Sequence, residues 1–299
     1  MPRKATRSVE HSALNAGYSR TSPIPQVEGP AAPGPLSEVA VVRHDDSTTL
    51  SIIIPAYNEG QRLRPTLDKA LAYIARRGWK AEVIVVNDGS RDDTSEIARQ
   101  YALDNPALRL VENPGNRGKG YSVRNGMLRA RGEILLFSDA DFSSPIEEAV
   151  KLFDAIAAGA DIAIGSRWLQ RELQTQKQPL YRQLFGRLFN LALRLVLGLR
   201  FKDTQCGFKA FTRRAAETVF PLQNIERWGF DPELLYLARK FDLTVAEVPV
   251  RWAHSEGTRL HPFRDGIRML GDLFKVRWNS LSGKYPSALN QTHSAQTSL

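Results

Sequence analysis

Residues 134–145, Ile-Leu-Leu-Phe-Ser-Asp-Ala-Asp-Phe-Ser-Ser-Pro, decide the fold. Ile134 to Phe137 form a short apolar run and Ser143-Ser144-Pro145 is turn chemistry, so the stretch predicts a buried strand leaving into a loop. Asp139 and Asp141 then stand at the strand's carboxyl end. An isolated Asp-x-Asp is ordinary in a solvated turn, since loops favour Asp. Open α/β sheets, however, bind their ligands at that end. Two hard oxygen donors there suit Mg²⁺ or Mn²⁺, which keeps waters and takes further ligands from substrate phosphates.

Strand and helix patterns alternate on both sides of this stretch. Strands are predicted at 50–54, 82–86, 108–111 and 161–164, with amphipathic helices at 62–77, 93–103, 121–131 and 146–158. Gly78 is the expected stop of the first helix and Asp93 the expected cap of the second. Val, Ile and Leu dominate the strands, so the fold class is α/β, a mostly parallel Rossmann-like sheet covered by helices on both faces. The second half is less regular. It predicts a long apolar helix over 180–199, a strand at 208–211, a helix over 231–240 capped by Asp231, an edge strand at 244–250 and a basic amphipathic helix over 265–281.

Residues 1–48 carry five prolines between Pro23 and Pro35 and no sustained period, so they are expected to form a disordered tail. Residues 49–170 are expected to be a nucleotide-sugar-binding half, 171–283 an acceptor-binding half with amphipathic helices, and 284–299 a second flexible tail. Hydrophobic residues make up 42% of the 299 and charged ones 24%, as in globular domains, but the net charge of +9 calls for an anionic partner. One cysteine, Cys206, excludes an internal disulfide. No run reaches the roughly 18–20 apolar residues that cross a bilayer, and no nucleic-acid-binding module is visible.

The other strand ends are polar too. Pro55-Ala56-Tyr57-Asn58-Glu59 follows the first strand, where Tyr57 can lie against a base. Asn87-Asp88-Gly89-Ser90 follows the second, and Asp88 can accept a base N–H. After the third come Asn116-Arg117-Gly118-Lys119-Gly120, glycines to wrap an anion and Arg117 and Lys119 to supply charge. Each set taken alone is also ordinary turn or cap chemistry.

Together these segments resemble the family 2 glycosyltransferases, which use the GT-A fold and nucleotide-sugar donors. Ile164-Gly165-Ser166-Arg167, Asp203-Thr204-Gln205-Cys206-Gly207-Phe208-Lys209, Trp228-Gly229-Phe230-Asp231 and Glu247-Val248-Pro249-Val250 make the chain similar to the dolichyl-phosphate glucosyltransferases in particular, over about 50–283. The eukaryotic members carry an N-terminal membrane anchor where this chain has its Pro-rich tail.

The resemblance implies inverting transfer of glucose from UDP-glucose to a dolichyl or polyprenyl phosphate. It places Asp139 and Asp141 at the metal, with Asp139 also within reach of the nucleotide. Pro55, Tyr57, Glu59, Asp88, Arg117 and Lys119 fall on the donor. Arg167 falls on the acceptor phosphate, with Arg182 and Arg251 as further arginines, and Asp231 falls where enzymes with hydroxyl acceptors keep a base. It also implies a peripheral enzyme on the cytoplasmic face of a membrane, with helices 180–199 and 265–281 against the lipid; core packing alone would equally make both helices amphipathic. Cys206 is expected to be packed, and His254 and His261 to be loop residues. Two alternatives stand: a mannosyl enzyme using GDP-mannose, and a catalytically silent membrane-binding module.

Overall fold

The computed structural model describes residues 49–170, 172, 186, 188–253 and 262–286. The expectations for residues 1–48 and 287–299, for 180–185 including Arg182, and for His254 and His261 lie outside these residues, while Tyr285, at the start of the expected second tail, is buried.

Seven strands form one sheet: β1 (Leu50–Ala56), β2 (Ala81–Asn87), β3 (Leu108–Glu112), β4 (Ile134–Ser138), β5 (Ile162–Ser166), β6 (Phe208–Thr212) and β7 (Val245–Pro249), in the order β3-β2-β1-β4-β6-β5-β7. The β1–β2, β2–β3, β1–β4 and β5–β7 pairs are parallel. β6 runs antiparallel to both neighbours, with Ser138 opposite Phe208 and Ile164 opposite Lys209. Its amino end therefore meets the carboxyl ends of β4 and β5. Residues 203–207 thus reach the rim that carries Asp139, Asp141 and Arg167.

Both faces of the sheet are covered, which explains the unbroken apolar runs. Ile52, Ile54, Val83, Val85 and Leu136 pack beneath α1 (Gly60–Arg77), α2 (Thr94–Asp104) and α4 (Ala149–Ala157). Ile53, Ile84, Val86, Leu135 and Phe137 point the other way, toward α3 (Lys119–Met127), α5 (Arg213–Val219), α6 (Phe230–Lys240) and α7 (Pro262–Leu281). Alternate residues of one strand thus serve two cores.

Gly78 ends α1 as expected, at φ 62°. Three local expectations need correction. Asp93 precedes α2 but makes no side-chain cap bond. Its neighbour Asp92 takes the role, accepting from the Thr94 N–H at 3.1 Å and from Gly60 N–H at 3.0 Å. Asp231 is not a cap either; α6 already begins at Phe230, and the carboxylate is used elsewhere. The described part of the expected 180–199 helix closes in a π-helical turn, Leu193–Leu197, that stops at Gly198 with φ 66°.

Candidate active site

A cleft of about 1520 Å³ opens along the carboxyl rim of the sheet. Pro55, Tyr57 and Glu59 after β1, Asp88 after β2 and Lys119 at the start of α3 all line it. So do Asp139 and Asp141 after β4, Arg167 after β5 and Asp231 in α6. Arg117 does not. Its guanidinium is bound by the carboxylate of Glu226, which does line the cleft, and lies 4.5 Å from the centre of the Tyr121 ring. Arg251 is likewise taken up, by the buried Glu148 at 2.5 Å.

Three ion pairs organise the cleft. Lys119 Nζ lies 2.5 Å from Asp139 Oδ1 and 5.3 Å from the Phe137 and Trp228 ring centres. Burial alone would lower the Lys119 pKa, but Asp139 and Asp231 outweigh it and hold the ammonium protonated. Arg167 donates to Asp203 from Nε at 2.7 Å and from Nη2 at 2.8 Å, a two-pronged grip that fixes the guanidinium plane. Arg167 in turn holds the Asp203 carboxyl below its ordinary range against the opposing effect of burial. Lys209, wholly buried in β6, donates to Asp231 Oδ1 at 2.5 Å and to the Cys206 carbonyl at 2.6 Å. Burial pushes the Asp231 carboxyl up, with Lys209 and Lys119 opposing.

Asp88 is committed to the loop before α3. Its carboxylate accepts from the Asn113 side chain at 2.8 Å and from the Arg117 and Gly118 N–H groups at 2.9 and 2.8 Å. Those three contacts leave roughly one of the carboxylate's four or so acceptor positions for a base. The loop glycines have a packing reason: a Cβ at Gly118 or Gly120 would fall 2.7 Å from the Glu226 or Ile225 carbonyl oxygen. Glu59 is gripped by Arg62, at 2.7 Å from Nε and 2.8 Å from Nη2, and Arg62 Nη1 stands 3.8 Å from Asp141.

Asp139 and Asp141 fit a divalent cation. Both are carboxylates on one cleft wall, and Asp141 Oδ1 is oriented by the Ser143 N–H at 2.9 Å. Gly207 leaves room for Asp139, since a Cβ there would lie 2.0 Å from Oδ2. Among the described residues no cluster of three or more His, Cys, Asp or Glu suited to a metal is present. A two-carboxylate set suits an ion that completes its shell with water and substrate phosphate.

Arg62, Asp203 and Lys209 were not predicted as site residues. Lys209 had a signal: a charge inside the apolar strand Phe208-Lys209-Ala210-Phe211. Cys206 is buried as expected, its thiol pushed up to about 12 by burial, which keeps it unreactive.

A mostly parallel α/β sheet with paired carboxylates and an arginine in a cleft at its carboxyl rim is the architecture of a GT-A glycosyltransferase. The model of the glycosyl transferase family 2 matches residues 51–220, and the chain belongs to that family. It is 43% identical over 237 residues to a dolichyl-phosphate beta-glucosyltransferase of Trichomonas vaginalis, covering 76% of this chain and 70% of that one. The human dolichyl-phosphate beta-glucosyltransferase is 39% identical over 257 residues, covering 80% and 79%. Among solved structures, mannosyl-3-phosphoglycerate synthase from Rubrobacter xylanophilus shares the fold at TM-score 0.59 and 18% identity, covering 80% of this chain and 76% of that one. Glucosyl-3-phosphoglycerate synthase from Mycobacterium tuberculosis, in complex with Mn²⁺, UDP-glucose and phosphoglyceric acid, does so at TM-score 0.55 and 19% identity, covering 77% and 78%.

Replacing Lys209 by Met should leave Asp231 buried and unpaired and cost roughly 3–5 kcal/mol in urea unfolding. Lys209→Met/Asp231→Leu should recover most of that loss; a double variant as unstable as the single one would deny the pair its role. Asp203 predicts an acid limit. Its folded pKa lies below the ordinary 3.8, so the stability it adds is complete above about pH 4 and declines as pH falls through the folded value. The stability gap between wild type and Asp203→Asn should therefore be constant from neutral pH to about 4 and narrow below it. A gap that stays constant in strong acid would contradict this linkage.

Proposed function

We propose that the protein transfers glucose from UDP-glucose to a dolichyl or polyprenyl phosphate with inversion, releasing UDP and a β-glucosyl phospholipid. The observation that carries this reading is the meeting of the Asp139–Asp141 carboxylates and the Asp203-locked Arg167 in one cleft. Asp139 and Asp141 would hold Mg²⁺ or Mn²⁺, which when bound supplies positive charge to the departing diphosphate. Lys119, kept protonated by its acidic neighbours, offers further charge on the same side. Pro55, Tyr57, Glu59 and Asp88 form the wall assigned to the nucleoside.

The nucleophile is a phosphate oxygen, already anionic near neutral pH. As it bonds to the sugar's C1 from the face opposite UDP, the C1–O bond to UDP breaks. No strong general base is needed. What is needed is a fixed cation to bring the second anion close, and Arg167 has the planar fork for it. Asp231 is tied to Lys209 and is not left as a free base.

The acceptor's home is a bilayer. Of ten exposed large hydrophobic residues among the described ones, three (Leu188, Leu191, Leu195) lie on the 188–197 segment and five (Ile267, Leu270, Phe274, Trp278, Leu281) on α7. The five follow 3-4-4-3 spacing, one stripe of a helix, flanked by Arg264, Arg268, Lys275 and Arg277. The two segments pack together and border the cleft. This face is assigned to an anionic membrane surface, with the protein peripheral on the cytoplasmic side. No helix among the described residues is long and apolar enough to cross a membrane.

Purified protein given labelled UDP-glucose, Mg²⁺ or Mn²⁺ and a short polyprenyl phosphate should move label into the organic phase, and Asp141→Asn should lower that rate at least 100-fold. Preference for GDP-mannose, or full turnover in Asp141→Asn, would reject the donor or the metal assignment respectively. Phe274→Ser/Trp278→Ser should reduce flotation with anionic vesicles by roughly tenfold or more, given the apolar area removed. Flotation equal to wild type would move the membrane face elsewhere.

A further inference from the structure

We propose that Asp272, on α7, is the carboxylate that recognises the hydroxyl groups of the transferred sugar, an inference that rests on the nucleotide-sugar reading of the cleft. α7 is amphipathic, and its inward polar residues are otherwise accounted for. Asp265 stands by Arg264 and Arg268, at 3.6 and 4.0 Å. The Asn279 side chain donates to Tyr285 Oη at 3.3 Å. Asp272 is half-buried in the cleft wall and has no hydrogen bond or ion pair among the described residues. Burial pushes its carboxyl up, offset in part by the field of Lys275. A carboxylate withdrawn from water without donors is costly, so a ligand that brings donors is the natural complement.

Its position is built rather than incidental. The carboxylate lies directly over Gly229: a Cβ there would fall 2.3 Å from Asp272 Oδ2 and 2.7 Å from its Cβ. The glycine of the Trp228-Gly229-Phe230-Asp231 segment is thus required by Asp272. Gly229 also heads α6, whose unpaired first-turn amides face a negative group favourably. Trp228, next in the chain, lines the cleft with its ring 5.3 Å from Lys119 Nζ, and Lys119 holds Asp139.

The chemistry of the remaining substrate parts leaves the sugar for this place. The diphosphate and the acceptor phosphate are anions and would be repelled by Asp272; Lys119, Asp139 and Asp141 on one side and Arg167 on the other provide for them. The base belongs with Tyr57 and Asp88. A hexose is uncharged, presents several O–H donors, and offers a C–H face to an aromatic ring. A carboxylate beside Trp228 matches both features.

The test compares the sugar's contribution with that of the nucleotide. Calorimetry in the presence of Mn²⁺ gives Kd for UDP and for UDP-glucose with wild type, Asp272→Asn and Asp272→Ala, each checked for an unchanged melting curve. The ratio of the two affinities should fall roughly 10- to 100-fold in Asp272→Ala and less in Asp272→Asn, while Kd for UDP stays within about twofold. Wild type should also discriminate among UDP-glucose analogues that each lack one hydroxyl, and Asp272→Ala should lose the discrimination against at least one. An unchanged ratio, or equal weakening of UDP and UDP-glucose, overturns the proposal. If wild type prefers another nucleotide sugar, the donor assignment fails by itself, and the same comparison with that sugar and its free nucleotide still decides the role of Asp272.

Discussion

β6 runs against β4 and β5, and its ladder sets Phe208 opposite Ser138 and Lys209 opposite Ile164. Most of the cleft depends on that one pairing. Because β6 enters the sheet where its neighbours leave it, the residues just before it share their rim. Asp203 can then grip Arg167, Gly207 can make room for Asp139, and the Gly207 carbonyl can accept from Asp139 N–H at 3.1 Å. A sixth strand laid parallel would carry the same residues to the opposite edge of the sheet.

The charges at this rim are arranged in couples. Lys119 with Asp139, Arg167 with Asp203, and Lys209 with Asp231 each remove two charges from water, a step whose desolvation cost rivals the Coulomb gain. Such pairs do little for stability. Their use is to fix where charge stands before a substrate arrives, so that little reorganisation is needed when a diphosphate leaves and another phosphate approaches. The Phe137 ring, with Lys119 at 5.3 Å and Lys209 at 5.6 Å from its centre, joins two of the pairs into one unit.

The sheet and most of the cleft wall were legible in the sequence because their signals are local. Apolar runs name strands, and polar residues just after them mark the rim; Tyr57, Lys119, Asp139, Asp141 and Arg167 all follow from that rule together with the family resemblance. What was not legible depends on direction and partnership. Nothing in Phe208–Thr212 says that the strand runs backwards, so the partners of Lys209 and Asp203 could not be named. The partner of Arg117 was hidden in the same way: its sequence neighbours suit a phosphate, and Glu226, 109 residues away, binds its guanidinium. Asp231 looked like a cap from the proline after it, and its true partner lies on a strand.

Side chains along a strand alternate between faces, so Lys209 shares the side of Phe137 and α6, while Phe208 and Ala210 face the aliphatic layer under α1 and α4. Adding or deleting one residue between Asp203 and Lys209 would invert that assignment and drive an ammonium group among Leu, Ile and Ala with no acid in reach. The spacing of this short segment is therefore as constrained as its composition. Divergent descendants can lengthen the turns on the far edge of the sheet, but this segment has to keep its count.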